Sequence, residues 1–208
     1  YSIVILSATE SLALFTWLDD NDYSVPAESL DVLQAYLDGG NYFLAAKVDE
    51  SAEIGDGDTL SPLQFRYDVE MFGLPIRIGT LNARDTQDVL IYAVTDYDDG
   101  AVGISNYSMV EVDNECMWRD DGDQTFAEFY ADQFSEAYES TEGGVWLAEY
   151  AWGMGKCDPC TGDPPDDTDM ATLGFEFADN ASGDEYFFTR LHMRYTPEEA
   201  TQDLVLYP

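Results

Sequence analysis

Positive charge is what this sequence has least of. Eight Lys and Arg stand against 43 Asp and Glu, a formal charge of −35 at pH 7, and lysine occurs only at Lys47 and Lys156. Phosphate contacts need clustered Lys and Arg, so this balance excludes nucleic acid and anionic lipid surfaces as partners. It leaves solubility in a salty medium, divalent-cation binding, or a basic partner. Salt screens exposed charges beyond roughly 8–10 Å, so stability is expected to rise with ionic strength.

Long apolar runs are also missing. Nothing approaches the ~18–20 residues of a membrane-spanning helix, and no basic segment with an apolar run behind it opens the chain as a leader would. Tyr1 starts directly inside the strand-like Tyr1–Leu6, which reads as a processed or partial chain. Histidine is nearly absent. The one present, His192, has no nucleophile motif to serve, so no catalytic triad is legible. Cysteine occurs three times, at Cys116, Cys157 and Cys160, and an odd count leaves at least one thiol without a partner inside the chain.

What is there suffices to fold. At 208 residues, 45% hydrophobic and 14% aromatic, the chain reads as one domain spanning residues 1–208 rather than an acidic disordered tail. Phe72 to Val94 reads as two strands around the turn Asn82–Asp85, and Thr86–Tyr92 recurs as Thr201–Tyr207. The expected fold is therefore α+β, a mostly antiparallel sheet with helices packed on one side and two related β-hairpins. Ile3–Leu6 reads as a buried strand. Ser7 and Glu10 match a capping box opening a helix with Leu14, Trp17 and Leu18 on one face, and Ala27–Leu37 reads as a second helix. Leu63, Phe65 and Tyr67 alternate as a strand, and Val102–Val112 reads as another. A second capping box, Thr125 with Glu128, opens an aromatic helix to about Ser140. Val145–Met154 reads as a helix, about 161–172 as an acidic Pro-rich loop, and Phe187–Tyr195 as a strong strand.

Three patterns bear on chemistry. Cys157-Asp-Pro-Cys160 fits a short disulfide, half a zinc site or a redox dithiol; zinc would have only Cys116 and His192 to complete it, and the βαβ setting of a redox dithiol is missing. Alternation along Thr189–Tyr195 puts Arg190, His192 and Arg194 on one face, which with Arg77 would make a basic strip. That strip reads as an anion site or, more simply, as arginines paired with local carboxylates. Asp56 and Asp58, and Asp120, Asp121 and Asp123, are dense enough to contribute to calcium binding, yet neither loop matches the EF-hand register.

The sequence also resembles the bacterial family known as domain of unknown function 2330. The resemblance rests on Ile3–Ala8 with Glu10-Ser11, Trp17-Leu18, Ala46-Lys-Val48, Pro62-Leu-Gln64, Leu74-Pro-Ile-Arg77, Asn82-Ala83, Gln87-Asp88, Asn106-Tyr107, Glu149-Tyr-Ala-Trp152, Cys157–Cys160 and Thr189–His192, in order along the chain. Cys116 lies outside the pattern, and Leu12 and Phe15 replace a more polar helix face. The resemblance implies the C-terminal part of a longer exported bacterial protein, often with a signal peptide and sometimes with a surface-sorting segment. It carries no activity and no catalytic residues. Export implies oxidising conditions, in which Cys157 and Cys160 are expected to be bridged. The expected function is that of an extracytoplasmic, non-enzymatic surface or structural protein acting through self-association or another surface protein. The alternative is a calcium-dependent adhesion module, and a cysteine-based redox protein is less supported. No cofactor other than calcium is implied. Ile3 and Ile5 on an uncapped strand, with Leu12 and Phe15 on the following helix, are the expected interface, one that can build filaments if it does not close.

Overall fold

The computed structural model describes residues 1–48, 62–112, 125–155, 165–175 and 183–208. Its elements run β1 Ser2–Leu6, α1 Ser11–Asp20, α2 Leu30–Asp38, β2 Phe43–Lys47, β3 Gly73–Leu74 and α3 Ile76–Gly79. They continue with β4 Gln87–Asp96, β5 Gly103–Ile104, β6 Ser108–Met109, α4 Phe126–Glu139, β7 Val145–Gly153, α5 Asp167–Thr172, β8 Tyr186–Tyr195 and β9 Leu204–Tyr207. The fold is α+β with predominantly antiparallel sheets. Its residues group into two compact units, Tyr1–Arg66 with Arg77–Asn82, and Tyr67–Ile76 with Ala83–Pro208.

In the first unit β1 and β2 pair antiparallel, with Ile3 opposite Ala46 and Ile5 opposite Leu44. The other face, with Leu6, Phe43 and Ala45, packs on Leu14, Leu18, Leu33 and Leu37 of the two helices. β1 is thus not the buried strand its apolar run suggests: Ile3 is 49% and Ile5 70% exposed. The run is apolar on both faces, but among the described residues only one face has a layer over it. The Ser7–Glu10 capping box does not form either. The helix begins at Ser11, Glu10 gives no side-chain cap, and the Ser11 N–H donates instead to Gln34 Oε1 of α2 at 2.9 Å. A long-range partner has taken the role of the local one.

The second unit is a sandwich with a helical layer. A four-stranded sheet of order β4-β8-β7-β6 is antiparallel except for β6 beside β7. One face packs through Leu191, Met193, Tyr195 and Trp146 against Leu204, Leu206 and Ile104 of the sheet β3-β9-β5. The other face carries α4 through Phe134 on Val145 and Leu147, and α5 through Met170 on Met154 and Phe188.

Several local expectations give way here. The two related hairpins do not exist: β4 pairs β8, and β9 pairs β3 and β5, so the echoing heptapeptides lie in different sheets. Pro75, with no N–H for a ladder and a φ suited to a helical start, ends β3 after two residues and sends Ile76–Gly79 into a helical turn. Val145–Gly153 is a strand, not a helix; Val145–Leu147 are buried on both faces and a register shift between Ala148 and Tyr150 breaks the alternation of the rest, so no strand period is visible. Val102–Val112 splits into β5 and β6 in two sheets. Asn106 fixes the crossing, its Nδ2 donating to the Asp203 carbonyl at 2.7 Å and its Oδ1 accepting from the Val205 N–H at 3.0 Å. The acidic Pro-rich loop contains α5, capped by Asp166, which accepts from the N–H groups of Thr168 and Asp169. Leu63, Phe65 and Tyr67 belong to no strand.

Candidate functional site

The strand β8 presents Arg190, His192 and Arg194 to the helical side of its sheet, as period two requires. Its neighbours complete a cluster. In β4, Asp88 lies opposite Arg194 in the antiparallel register. Arg194 grips its carboxylate with two nitrogens, Nε to Oδ1 at 2.8 Å and Nη2 to Oδ2 at 3.3 Å. In β7, Leu147 pairs with His192 and Ala148 with Leu191, but Tyr150 pairs with Arg190, so Glu149 is the extra residue of a β-bulge. A bulge re-aims a side chain. Here it brings Glu149 to His192 Nδ1 at 2.9 Å and to Arg190 Nε at 2.8 Å. The Arg190 contact is ionic but poorly aligned, and its Nε–H completes no hydrogen bond. His192 Nε2 reaches Asp88 Oδ1 at 3.0 Å.

Helix α4 lids this cluster. Its capping box forms as the sequence predicts, Thr125 and Glu128 each satisfying the other's backbone N–H. From that start, Tyr130, Phe134 and Tyr138 fall one turn apart. The Tyr130 hydroxyl donates to Glu149 and lies 3.1 Å from His192 Nδ1. Phe134, fully buried, meets the imidazole at a tilt of 54° with ring centres 4.4 Å apart, and the Arg194 guanidinium is 4.7 Å from its ring. Ser135 Oγ accepts from Arg194 Nη1 at 3.0 Å, and the Tyr138 hydroxyl donates to Glu199 at 2.7 Å.

The electrostatics follow from this layout. Burial opposes ionisation of Asp88, but hydrogen bonds from Arg194 and His192 and their charges outweigh it and hold the carboxyl below its ordinary 3.8. Tyr130 is pushed well up, by burial first and then by donation to Glu149. Tyr138 is pushed up to about 12, by burial and then by Glu199. Two arginines balance two carboxylates without help from His192. Both imidazole nitrogens face carboxylate oxygens, and both contacts are hydrogen bonds only when both nitrogens carry hydrogens. The phenol of Tyr130 keeps its proton, so it acts as a donor rather than as a base. Chemically the arrangement fastens α4 to the sheet through charge. Beside it, Val112, Phe126, Leu147, Glu149 and Arg190 line an open cavity of about 500 Å³.

A pH dependence results. A tyrosine with a raised folded value stabilises fully below its unfolded value and loses that contribution as pH climbs to the folded one. Stability is therefore expected to fall between pH 10.0 and about 12 from Tyr138 alone. Chemical denaturation across that range should show a shallower fall for Tyr138→Phe than for the natural chain.

The structure brings Arg190, His192 and Arg194 together. Arg77 is not on the strip: it lies in the turn α3, its guanidinium 5.9 Å from the Tyr36 ring. Leu12 is exposed and Phe15 half-buried on the helical layer, on the other side of the β1–β2 sheet from Ile3 and Ile5. Cys116, Cys157, Cys160, Asp56, Asp58, Asp120, Asp121 and Asp123 lie outside the described residues. Among the described residues no group of three His, Cys, Asp or Glu is placed to hold a metal ion, and no helix is long and apolar enough to cross a membrane. Sequence reasoning missed Asp88 and Glu149. A lone carboxylate inside the apolar run Val145–Trp152 was the available signal for the second.

A family model described as an uncharacterized protein conserved in bacteria matches residues 1–207. No curated protein and no solved structure matches the chain.

Proposed function

The chain belongs to the bacterial family domain of unknown function 2330, and we propose that it is an exported, non-enzymatic surface or structural protein that acts by associating with copies of itself. The observation that carries this is the outer face of the β1–β2 sheet. It bears Ile3, Ile5, Leu44 and Ala46 and no charged side chain, and the three larger residues are substantially exposed. Contiguous apolar surface of this kind marks interaction sites. In a chain carrying −35, two copies meet most favourably where charge is absent. The outer edge of β1 adds unpaired backbone groups, since β2 is its one strand neighbour among the described residues.

The test is light scattering from low to molar salt. Oligomers are expected to grow as salt screens the charge, while Ile5→Lys stays monomeric. A monomer at every ionic strength, or an Ile5→Lys variant that assembles like the natural chain, overturns the reading. The export arm is checked separately, by finding the native protein in extracytoplasmic fractions of its source.

A further inference from the structure

Residues 63–71 form a strand pattern without a strand. Leu63, Phe65, Tyr67, Val69 and Met71 alternate with Gln64, Arg66, Asp68 and Glu70, as in a half-buried strand. None of them is in a sheet, and Phe65, Tyr67, Val69 and Met71 are each more than half exposed. Where a local pattern and the surrounding structure disagree this plainly, function is the first explanation to test.

Elsewhere in the molecule an edge lacks a strand. β4 is 10 residues long and, among the described residues, pairs only with β8. Along its open side runs a groove of about 550 Å³, lined by the consecutive residues Leu90–Thr95 and faced by Phe72, Leu74, Leu206 and Tyr207. Leu74 belongs to β3 and Leu206 to β9, so the groove is the open seam between the two sheets of the sandwich. Long, apolar, uncovered edges template pairing with another chain.

We propose that residues 63–71 of one copy add as a fifth strand to the open edge of β4 in a second copy. The register of faces agrees. The odd-numbered apolar side chains would continue the core face beside Val89, Ile91 and Ala93, which already pack between the sheets. The even-numbered polar ones would lie on the face that carries Asp88, Leu90, Tyr92, Val94 and Asp96, where Arg66 is the segment's one positive charge. Main-chain hydrogen bonds supply affinity and alternate side-chain positions supply register. A second copy is the occupant because, within its own chain, Phe72 reaches the groove but Tyr67–Met71 do not line it and lie beside Ser105 and Val205–Pro208 instead. The contact joins two different surfaces, so it closes as a reciprocal exchange or continues as a chain. It rests on the self-association proposed above but uses a surface separate from β1.

The experiment adds a synthetic peptide of residues 62–72 to the full-length protein at high salt and follows hydrogen exchange along the chain. Slowed exchange across residues 89–95 is expected, with no such slowing by a peptide carrying Val69→Lys and Met71→Lys. In the full chain, the same two substitutions should raise the concentration needed for assembly by about tenfold or more. Unchanged exchange in β4, or protection of β1 instead, overturns strand addition. So does a monomer whose β4 is already protected and loses that protection in the double variant, since the segment would then serve its own chain. Assembly abolished by Ile5→Lys but indifferent to the double variant overturns strand addition and leaves self-association standing. Peptide protection of β4 in a protein that never assembles overturns both, since the edge would then accept a strand that no second copy supplies.

Discussion

Phe134→Ala is expected to lower the unfolding free energy of the second unit by about 3–5 kcal/mol, the range for deleting a fully buried aromatic ring. Phe134 has no exposed surface and packs on Val145 and Leu147. The same ring packs at a tilt against His192 and lies under the Arg194 guanidinium, so its loss also opens the charge cluster to water. Urea denaturation followed by circular dichroism and by tryptophan fluorescence checks this. Phe134→Leu should recover a good part of the loss, because the apolar volume matters more than the ring. A loss below 1 kcal/mol for the alanine variant would mean that α4 does not cover the sheet as described.

Glu149→Ala is expected to cost about 3 kcal/mol, near the lower end of what removing one member of a buried ion pair costs, because Arg190 is 39% exposed and partly rescued by solvent. The carboxylate serves Arg190, His192 and the Tyr130 hydroxyl together, and all three lose it at once. Arg190→Ala should cost less, since it leaves Glu149 with two of its three partners. A double-mutant cycle over Glu149 and Arg190 measures their coupling, and replacing both by leucine should restore part of the stability lost by Glu149→Ala alone. Additive single and double losses would show the pair to be uncoupled.

How much of this was legible in the sequence depended on how far each signal reached. Strand β8 could be read side by side, because alternation is a property of neighbouring residues: Leu191, Met193 and Tyr195 went inward and Arg190, His192 and Arg194 outward. The α4 capping box, closed within four residues, was equally local. The partners of the strip were not. Asp88 meets Arg194 across 106 residues of chain, and only the β4–β8 register puts them together. The echo between Thr86–Tyr92 and Thr201–Tyr207 found two real strands but not their neighbours, because strand propensity carries no information about pairing. The run Val145–Gly153 misled for a further reason: burial of both faces at Val145–Leu147 and the bulge at Glu149 together erased the alternation that would have identified it. Residues 63–71 misled in the opposite direction, with a clear alternation and no sheet to receive it.

Glu149 also sets the phase of its strand. Ahead of it, Val145 and Leu147 face the helical layer, and odd numbers point that way; behind it, Tyr150 and Trp152 do, and the parity is even. The inserted residue is a half-period shift in an otherwise regular wave, and each half of β7 is written in its own phase. Pairing this strand residue for residue, with Glu149 kept and the bulge removed, would turn one half's side chains over; deleting Glu149 would not, because Val145, Leu147, Tyr150 and Trp152 would then alternate unbroken on the faces they already occupy. The excess residue is therefore the one position the strand's facing does not need, and what it adds is the carboxylate that stands where the count changes.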